Sequence, residues 1–421
     1  MQKILGTLVG KSVKVGLAYR RGGGQALPGL VVEKLFPNYV GTMLNRLPEG
    51  VVIITGTNGK TTTTKMVVHL LKAQGKKVLT NSTGSNLTRG IASSVSQHAK
   101  ITGKLPYDIA VLEIDEATAR RLVKQVKPKW VLALNVSRDQ LDRYGEVDTI
   151  TSYIKSAMDA SAGIVTNAGD PQLLEASASI DKPVSYFGFA EKLQKYFPSD
   201  YDLAAVNRSV KSREKSVNLQ VELVDFKDQQ ATYKIGGQNY STRLRLTGQH
   251  NFLNGAAALA LARQLLPAIP TEDLVQELAK VPLAFGRGEK YKLKNDAIIE
   301  LVLVKNPASF TQALASYGSA KSNLMIAIND NIADGRDVSW LWDVNFAPLT
   351  SNKITVTSGT RAADMALRLK YDDIGVGNVE TNLIKAMELL GRKKGDKVIL
   401  ATYTAMLQLY AKLSKIAEKM E

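Results

Sequence analysis

Residues 51–65 read VVIITGTNGKTTTTK, and the segment Gly56-Thr57-Asn58-Gly59-Lys60-Thr61-Thr62 has residue types suited to holding a phosphate chain. A β-branched run enters a glycine-bearing turn and leaves it as a helical pattern. In that context backbone N–H groups and a helix N-terminus face an anion. The Lys60 ammonium would neutralise charge on the β- and γ-phosphates, and the Thr61 hydroxyl would reach Mg²⁺. The common loop of this type has a glycine five residues before the second glycine of the motif, where this chain has Ile54. The motif is therefore a shortened form, Gly56-x-x-Gly59-Lys60-Thr61. A glycine turn ahead of a threonine-rich helix also arises without a ligand, and the order strand, loop, helix is what favours phosphate.

A second cluster lies far along the chain. Ile328 to Trp340 read INDNIADGRDVSW, with Asp330, Asp334 and Asp337 in the stretch and Asp343 just beyond it. Asp and Asn in such density either hold a cation or stabilise turns through their own backbone. A calcium-binding EF-hand does not fit, because DNIADGRDVSWL lacks the regular ligand spacing and the closing Glu. Trp340 and Trp342 read as core or interface anchors. His69 and His98 fall in helical patterns and read as structural.

The elements that must position these residues come from the rest of the sequence. A chain of 421 residues fits about two or three domains, and 44% hydrophobic with 22% charged residues is ordinary for a folded globular protein. The absence of cysteine excludes a disulfide framework, a thiolate zinc site and a cysteine nucleophile on this chain. No apolar run approaches the roughly 20 residues of a membrane span, and the N-terminal segment has no clean signal-peptide core, so a cytoplasmic location is expected. The net charge of +16 favours polyanions: nucleic acid, an anionic membrane or a phosphorylated substrate. Lys and Arg are spread over most of the chain without interleaved aromatics, which argues against nucleic acid.

From Val51, β-branched runs alternate with helical patterns, the signature of a parallel sheet covered by helices. Gly75 is placed to close the first of these helices, and another is expected from about Glu116. Period-two alternation in VNLQVELVDF and ATYKIGG predicts antiparallel hairpins within 190–246. Helical sequence resumes at HNFLNGAAALALARQLL. After a charged stretch, GRGEKYKLKND, a second βα series begins. The fold class is α/β, with an N-terminal segment 1–48, a central domain 49–292 and a C-terminal α/β domain 293–421.

The motifs GTNGKTT, LEIDEA, NVSRDQLDRYGE, TNAGDP, GQHNFLNGAAALA and PLAFGRGE resemble, in order, those of the Mur ligase superfamily. The resemblance implies a P-loop central domain and a Rossmann-like C-terminal domain. It also implies a magnesium ligand at Glu113, which could instead cap the next helix. Asn251 and Asn254 match an adenine-contacting pair or could cap their helix, and Arg287 matches an arginine that meets nucleotide phosphate. Gln140 stands where many members have a metal-associated His. The loop begins at Gly56, leaving no room for the uridine-nucleotide domain of about a hundred residues that precedes it in ordinary Mur ligases.

RGGGQALPGLVVEKLFPN, LVKNPASFTQAL, NDNIADGRDVSWLWD and SGTRAADMALRLK resemble the MurT branch, synthetase subunits of lipid II isoglutaminyl synthase that act with a GatD glutaminase. This similarity covers nearly the whole chain. Members usually carry a four-cysteine zinc ribbon, and here 190–246 would replace it with a hairpin insertion lacking zinc.

The resemblance implies ATP-dependent amidation of the D-glutamate α-carboxylate of lipid II through an acyl phosphate, with ATP, Mg²⁺ and glutaminase-derived ammonia. Lys60 and Arg287 would balance the anionic centre. The acidic segment would supply the third member of the partner's Cys-His triad, with Asp337 favoured among its aspartates. The expected partners are the glutaminase and lipid II at the inner membrane face, not nucleic acid. The alternatives are a stand-alone ligase of the folylpolyglutamate synthase type and a basic, nucleotide-regulated binding protein.

Overall fold

The computed structural model describes residues 2–19, 27–81, 87–137, 147–197, 217–246, 248–282, 287–293, 296–317, 323–349 and 354–420. They form two compact units, the first running to Val281 and the second from Pro282, with Ser137 and Arg245–His250 grouping with the second.

In the first unit the strands are β1 (Val51–Thr55), β2 (Val78–Leu79), β3 (Ile109–Glu113), β4 (Trp130–Ala133), β5 (Gly163–Asn167), β6 (Val184–Phe189), β7 (Leu219–Lys227), β8 (Gln230–Ile235) and β9 (Gln238–Arg243). They form one sheet in the order β2-β3-β1-β4-β5-β6-β7-β8-β9. Pairing is parallel as far as β7 and antiparallel beyond it. The reason lies in composition. β1, β3 and β5 are buried at every position, as strands covered on both faces must be. Burial in β8 follows period two, as suits a sheet with one wet face. Asp228 (φ 52°) turns β7 into β8, and Gly236 and Gly237 (φ 58° and 84°) turn β8 into β9, the backbone a two-residue hairpin loop demands. The expected hairpins therefore extend the sheet edge by strand pairing.

The helices of this unit are α1 (Gln2–Tyr19), α2 (Leu27–Leu35), α3 (Tyr39–Leu44), α4 (Lys60–Ala73), α5 (Thr88–His98), α6 (Glu116–Leu122), α7 (Val147–Ala160), α8 (Pro171–Ala178), α9 (His250–Leu265) and α10 (Thr271–Leu278). Helix α1 packs on α2 and α5 through small residues. A Cβ on Gly6 would lie 2.5 Å from the Tyr39 ring, and one on Gly10 would lie 2.4 Å from Ser96 Oγ. Gly75 (φ 77°) donates its N–H to Lys72 O and closes α4, as its position in the sequence predicts. His69 on α4 lies 3.5 Å from a Glu277 carboxylate oxygen on α10, and His98 meets Ser94 O and the Tyr107 ring, so both bind structure together.

The second unit holds β10 (Arg287–Lys292), β11 (Ile298–Leu303), β12 (Asn323–Ala327), β13 (Ile354–Ser358), β14 (Val376–Glu380), β15 (Lys397–Ala401) and β16 (Glu418–Lys419). Its helices are α11 (Pro307–Tyr317), α12 (Ala362–Tyr371), α13 (Leu383–Gly391) and α14 (Tyr403–Ile416). The sheet runs β14-β13-β12-β15-β11-β10-β16, parallel from β14 to β11 and antiparallel at β10 and β16.

One reading of the sequence needs correction. The stretch GRGEKYKLKND, placed on the central side of a boundary near 290–296, contains β10 of the second sheet. Its lysines mask a period of two that buries Glu289 and Tyr291. The Tyr291 hydroxyl donates to Glu289 at 2.8 Å, and Lys419 on β16 completes the pair at 2.7 Å.

Candidate functional site

The glycine loop leaves the C-terminal end of β1, between β3 and β4, where crevices form in sheets of this class. Gly56 has φ 126° and Gly59 φ 86°, a backbone that an L side chain resists. Space forbids a side chain as well: a Cβ on Gly59 would lie 2.4 Å from Asn254 Oδ1, and one on Gly56 2.9 Å from Asn135 O. Helix α4 begins at Lys60 without a side-chain cap on Gly59, so its N-terminus is open to an anion.

The loop is held from outside the motif. Asn135, just after β4, accepts from Thr57 N through its carbonyl (2.9 Å) and from Asn58 N through Oδ1 (2.8 Å). Its Nδ2 donates back to Asn58 O at 3.0 Å. Lys60 Nζ donates to Gly56 O and lies 3.2 Å from Glu116 Oε1, with both side chains nearly buried. The Thr61 hydroxyl donates to Glu113 Oε1 at 2.9 Å. Asn81 fixes the Glu113 backbone, donating to its carbonyl at 2.6 Å and accepting from its N–H at 2.9 Å.

The structure therefore brings Thr61 and Glu113 together. The cap of α6 is Asp115, which accepts from Thr118 N at 2.7 Å, so Glu113 does not serve as that cap. Burial raises the Asp115 pKa, opposed by its Thr118 hydrogen bonds and by Lys60. Asn251 and Asn254 are buried inside α9 rather than ahead of it, with Asn254 Nδ2 donating to Asn251 Oδ1 at 3.1 Å. Arg287 opens β10 in the second unit, its backbone paired with Val302. Gln140 and residues 283–286 of the PLAFGRGE motif lie outside the described residues.

The donor set fits a magnesium nucleotide. Among the described residues the buried Thr62 hydroxyl has no hydrogen-bond partner; it lies at the start of α4, a place where phosphate oxygen would supply one. Mg²⁺ is held by one or two protein oxygens plus water and phosphate, which Thr61 and Glu113 can provide. Among the described residues no group of three His, Cys, Asp or Glu could hold a metal unaided.

Sequence reasoning missed Asn135, Asn81 and Glu116. Each reaches its partner across 32 to 77 residues of chain. A usable signal was the position of Asn135 two residues beyond β4, which flanks β1, and of Asn81 two residues beyond β2, which flanks β3.

In the second unit the acidic segment leaves β12 beside the end of β15. Asn329 N donates to Thr402 Oγ1 at 2.9 Å, and Asn329 Oδ1 accepts from Thr360 N at 3.1 Å. Asp334 is buried and accepts from Thr404 N at 2.8 Å and from the Thr404 hydroxyl. Asp330 accepts from Thr360 Oγ1 (2.7 Å) and Arg361 Nε (2.9 Å), which hold its carboxyl below the usual range. Asp337 is half-buried and accepts from Ser339 N at 2.8 Å, capping a 3-10 turn over Ser339–Asp343. The Ser339 N–H, then its hydroxyl, lower the Asp337 pKa. Asp343 is exposed. Trp340 packs on Phe310 of the core, whereas Trp342 is half exposed beside Tyr371.

The phosphate-loop contacts yield a prediction. Asn135→Ala removes both side-chain bonds to Asn58 while leaving the Thr57 bond to its carbonyl. The KM for ATP should rise about tenfold, with a smaller change in kcat, on the usual worth of positioning hydrogen bonds. Steady-state kinetics with varied ATP will check it, and an unchanged KM would refute the clamp.

The chain is similar to known proteins over nearly its whole length. A family model of the Mur ligase middle domain matches residues 54–262, and one described as MurT ligase C-terminal matches 303–406. The chain is 31% identical, over 97% of its length and 96% of the relative's, to the lipid II isoglutaminyl synthase (glutamine-hydrolyzing) subunit MurT of Streptococcus pneumoniae. It is 29% identical to the corresponding subunit of Staphylococcus aureus, over 94% of each chain. Among solved structures, MurF from Acinetobacter baumannii superposes with TM-score 0.68 at 18% identity, covering 91% of this chain and 80% of that one. MurF ligase from Thermotoga maritima, in complex with ADP, gives TM-score 0.68 at 18% identity, covering 91% and 84%.

Proposed function

Because the chain belongs to the MurT family of Mur ligase-type synthetases, we propose that it is the ATP-dependent subunit that amidates lipid II during peptidoglycan synthesis. The full-length match to a MurT subunit carries this reading. The likeness to the MurF structures, at under a fifth identity, concerns the fold alone.

In finer detail, the α-carboxylate of D-glutamate in the stem peptide attacks the γ-phosphorus of ATP, ADP leaves, and an acyl phosphate forms. This step converts a carbon–oxygen bond with no viable leaving group into one that can leave as phosphate. The nitrogen lone pair of ammonia then adds to the carbonyl carbon. The tetrahedral centre expels phosphate and loses a proton, leaving D-isoglutamine.

The protein's contribution is placement and charge. Lys60, drawn to Gly56 O and Glu116, stands ready to exchange those contacts for phosphate oxygen. Thr61 and Glu113 would hold Mg²⁺, which when bound supplies positive charge to the phosphates. Asn251 and Asn254 would meet the base, with Asn254 set against the loop glycine, and Arg287 is proposed to meet nucleotide phosphate.

Ammonia is scarce at neutral pH, so a GatD-like class I glutaminase is the partner this reading requires. Its Cys-His pair would be completed by Asp337. The enzyme would work in the cytoplasm at the inner membrane face; among the described residues no helix is long and apolar enough to cross a membrane.

The test is incubation with lipid II, ATP, Mg²⁺ and ammonium, followed by mass analysis of the stem peptide. Conversion of one acid to an amide is expected. Turnover only with a free amino acid as acceptor would instead identify a stand-alone ligase.

A further inference from the structure

The basic charge is concentrated at one end of the sequence. Residues 1–107 contain fifteen Lys and Arg against two acids, Glu33 and Glu49, and so carry +13 of the net +16. Helix α1 has no acidic residue, and the segment 50–107 has none either.

The same region exposes aliphatic side chains. Glycine and threonine on α1, Gly6, Thr7 and Gly10, face Tyr39 and Ser96 in the interior. The opposite side carries Ile4, Leu5, Leu8 and Val15, between 39% and 58% exposed. The turn Lys100–Lys104, closed by Lys100 N donating to Lys104 O at 2.8 Å, abuts the start of the helix: a Cβ on its Gly103 would lie 3.0 Å from Lys3 Cβ. That turn holds Ile101 out at 63% exposure, between the exposed lysines 100 and 104. An amphipathic helix with solvent-facing aliphatics and basic flanks has the composition of an element that lies in a membrane interface.

We propose that the exposed face of α1 and the adjoining Lys100–Lys104 turn form a docking surface for an anionic lipid bilayer. This inference rests on the proposed lipid-linked substrate for its purpose, but not for its observations. Charge complementarity selects the occupant. The lysines draw the surface to acidic headgroups, and the aliphatics enter the headgroup boundary, which a nucleic acid would not require of them. Docking would hold the enzyme beside the membrane that carries its substrate.

The experiment is flotation of the full chain with vesicles of phosphatidylglycerol and phosphatidylcholine, compared with phosphatidylcholine alone, without ATP or lipid II. The wild type should float with the anionic vesicles only. Lys100→Glu/Lys104→Glu should lose binding by more than about twentyfold, at roughly fivefold or more per lysine. Leu5→Ser/Leu8→Ser/Val15→Ser should lose about tenfold or more, with its circular dichroism unchanged because these side chains are exposed.

Failure of the wild type to float at low salt would overturn the proposal. So would equal binding by the aliphatic variant, or a change from dimer to monomer in that variant without loss of flotation. Tight nucleic-acid binding that survives the aliphatic substitutions, with no flotation, would assign the charge to another partner. Amidation of detergent-solubilised lipid II, measured in parallel, separates the two readings. Amidation without flotation removes the docking surface alone, and flotation without amidation removes the proposed reaction alone.

Discussion

Lys60→Ala should reduce amidation by at least about 10³-fold with glutamine or ammonium as nitrogen source, since a preorganised charge facing the transferring phosphoryl group is lost. The loss should be common to both sources because Lys60 belongs to the phosphate loop and not to ammonia supply. The ammonium is already oriented, donating to Gly56 O and lying 3.2 Å from Glu116. When phosphate arrives, the ammonium has to exchange those contacts for phosphate oxygen. The substitution also leaves Glu116 buried without its cation, and breaking a buried pair costs about 3 kcal/mol or more. A fall in activity could therefore reflect unfolding. Lys60→Ala/Glu116→Gln answers this by removing the stranded charge: it should recover most of the stability, read by urea denaturation, and none of the activity. Residual amidation within about tenfold of wild type in the stable double variant would refute a role for Lys60 in the chemistry.

The phosphate loop was legible because its signal is local. Strand, glycines, lysine and helix follow one another, and Gly56 and Gly59 occupy positions where only glycine combines positive φ with the available space. The βα order likewise announced both sheets, and the period-two segments announced β7 and β8. The residues that brace the loop were hidden for the complementary reason. Asn135 and Asn81 are ordinary asparagines in loops, and only the parallel pairing of β1 with β4 and of β2 with β3 brings the strand ends beside one another. Strand β10 was hidden by its lysines, whose stems tolerate a sheet edge while Glu289 and Tyr291 turn inward. The charge of the first hundred residues was visible but was read as scattered, because lysines spread along a sequence can still share one surface once helices fold together.

The four aspartates of the acidic segment could not be ranked by sequence, since all sit in one run of turn-forming residues. Their surroundings in the second unit separate them, and this gives the final prediction. Asp337→Asn should reduce glutamine-dependent amidation by about 10³-fold or more, the scale seen when the carboxylate that orients a catalytic histidine becomes an amide. Ammonium-dependent amidation should stay within about twofold, because the acyl phosphate chemistry does not use this residue. The fold should survive: an Asn oxygen can still accept from Ser339 N, preserving the cap of the 3-10 turn. The other aspartates supply the contrast. Asp334 is buried and receives both donors of Thr404, so Asp334→Asn should weaken stability by about 1–3 kcal/mol and depress both activities together. Asp330→Asn loosens a partly exposed pair with Arg361, a contribution of about 1 kcal/mol or less, and should change little. The pH dependence follows the same contacts. The Ser339 bonds depress the Asp337 pKa, so its contribution to stability is present above the ordinary carboxylate value and lost as pH falls through the lower folded value. At neutral pH it is a fixed negative charge, as a histidine-orienting acid must be. If Asp337→Asn lowers both activities equally, the residue caps its turn and nothing more; if Asp343→Asn alone separates them, the orienting acid is Asp343, at the exposed end of that turn.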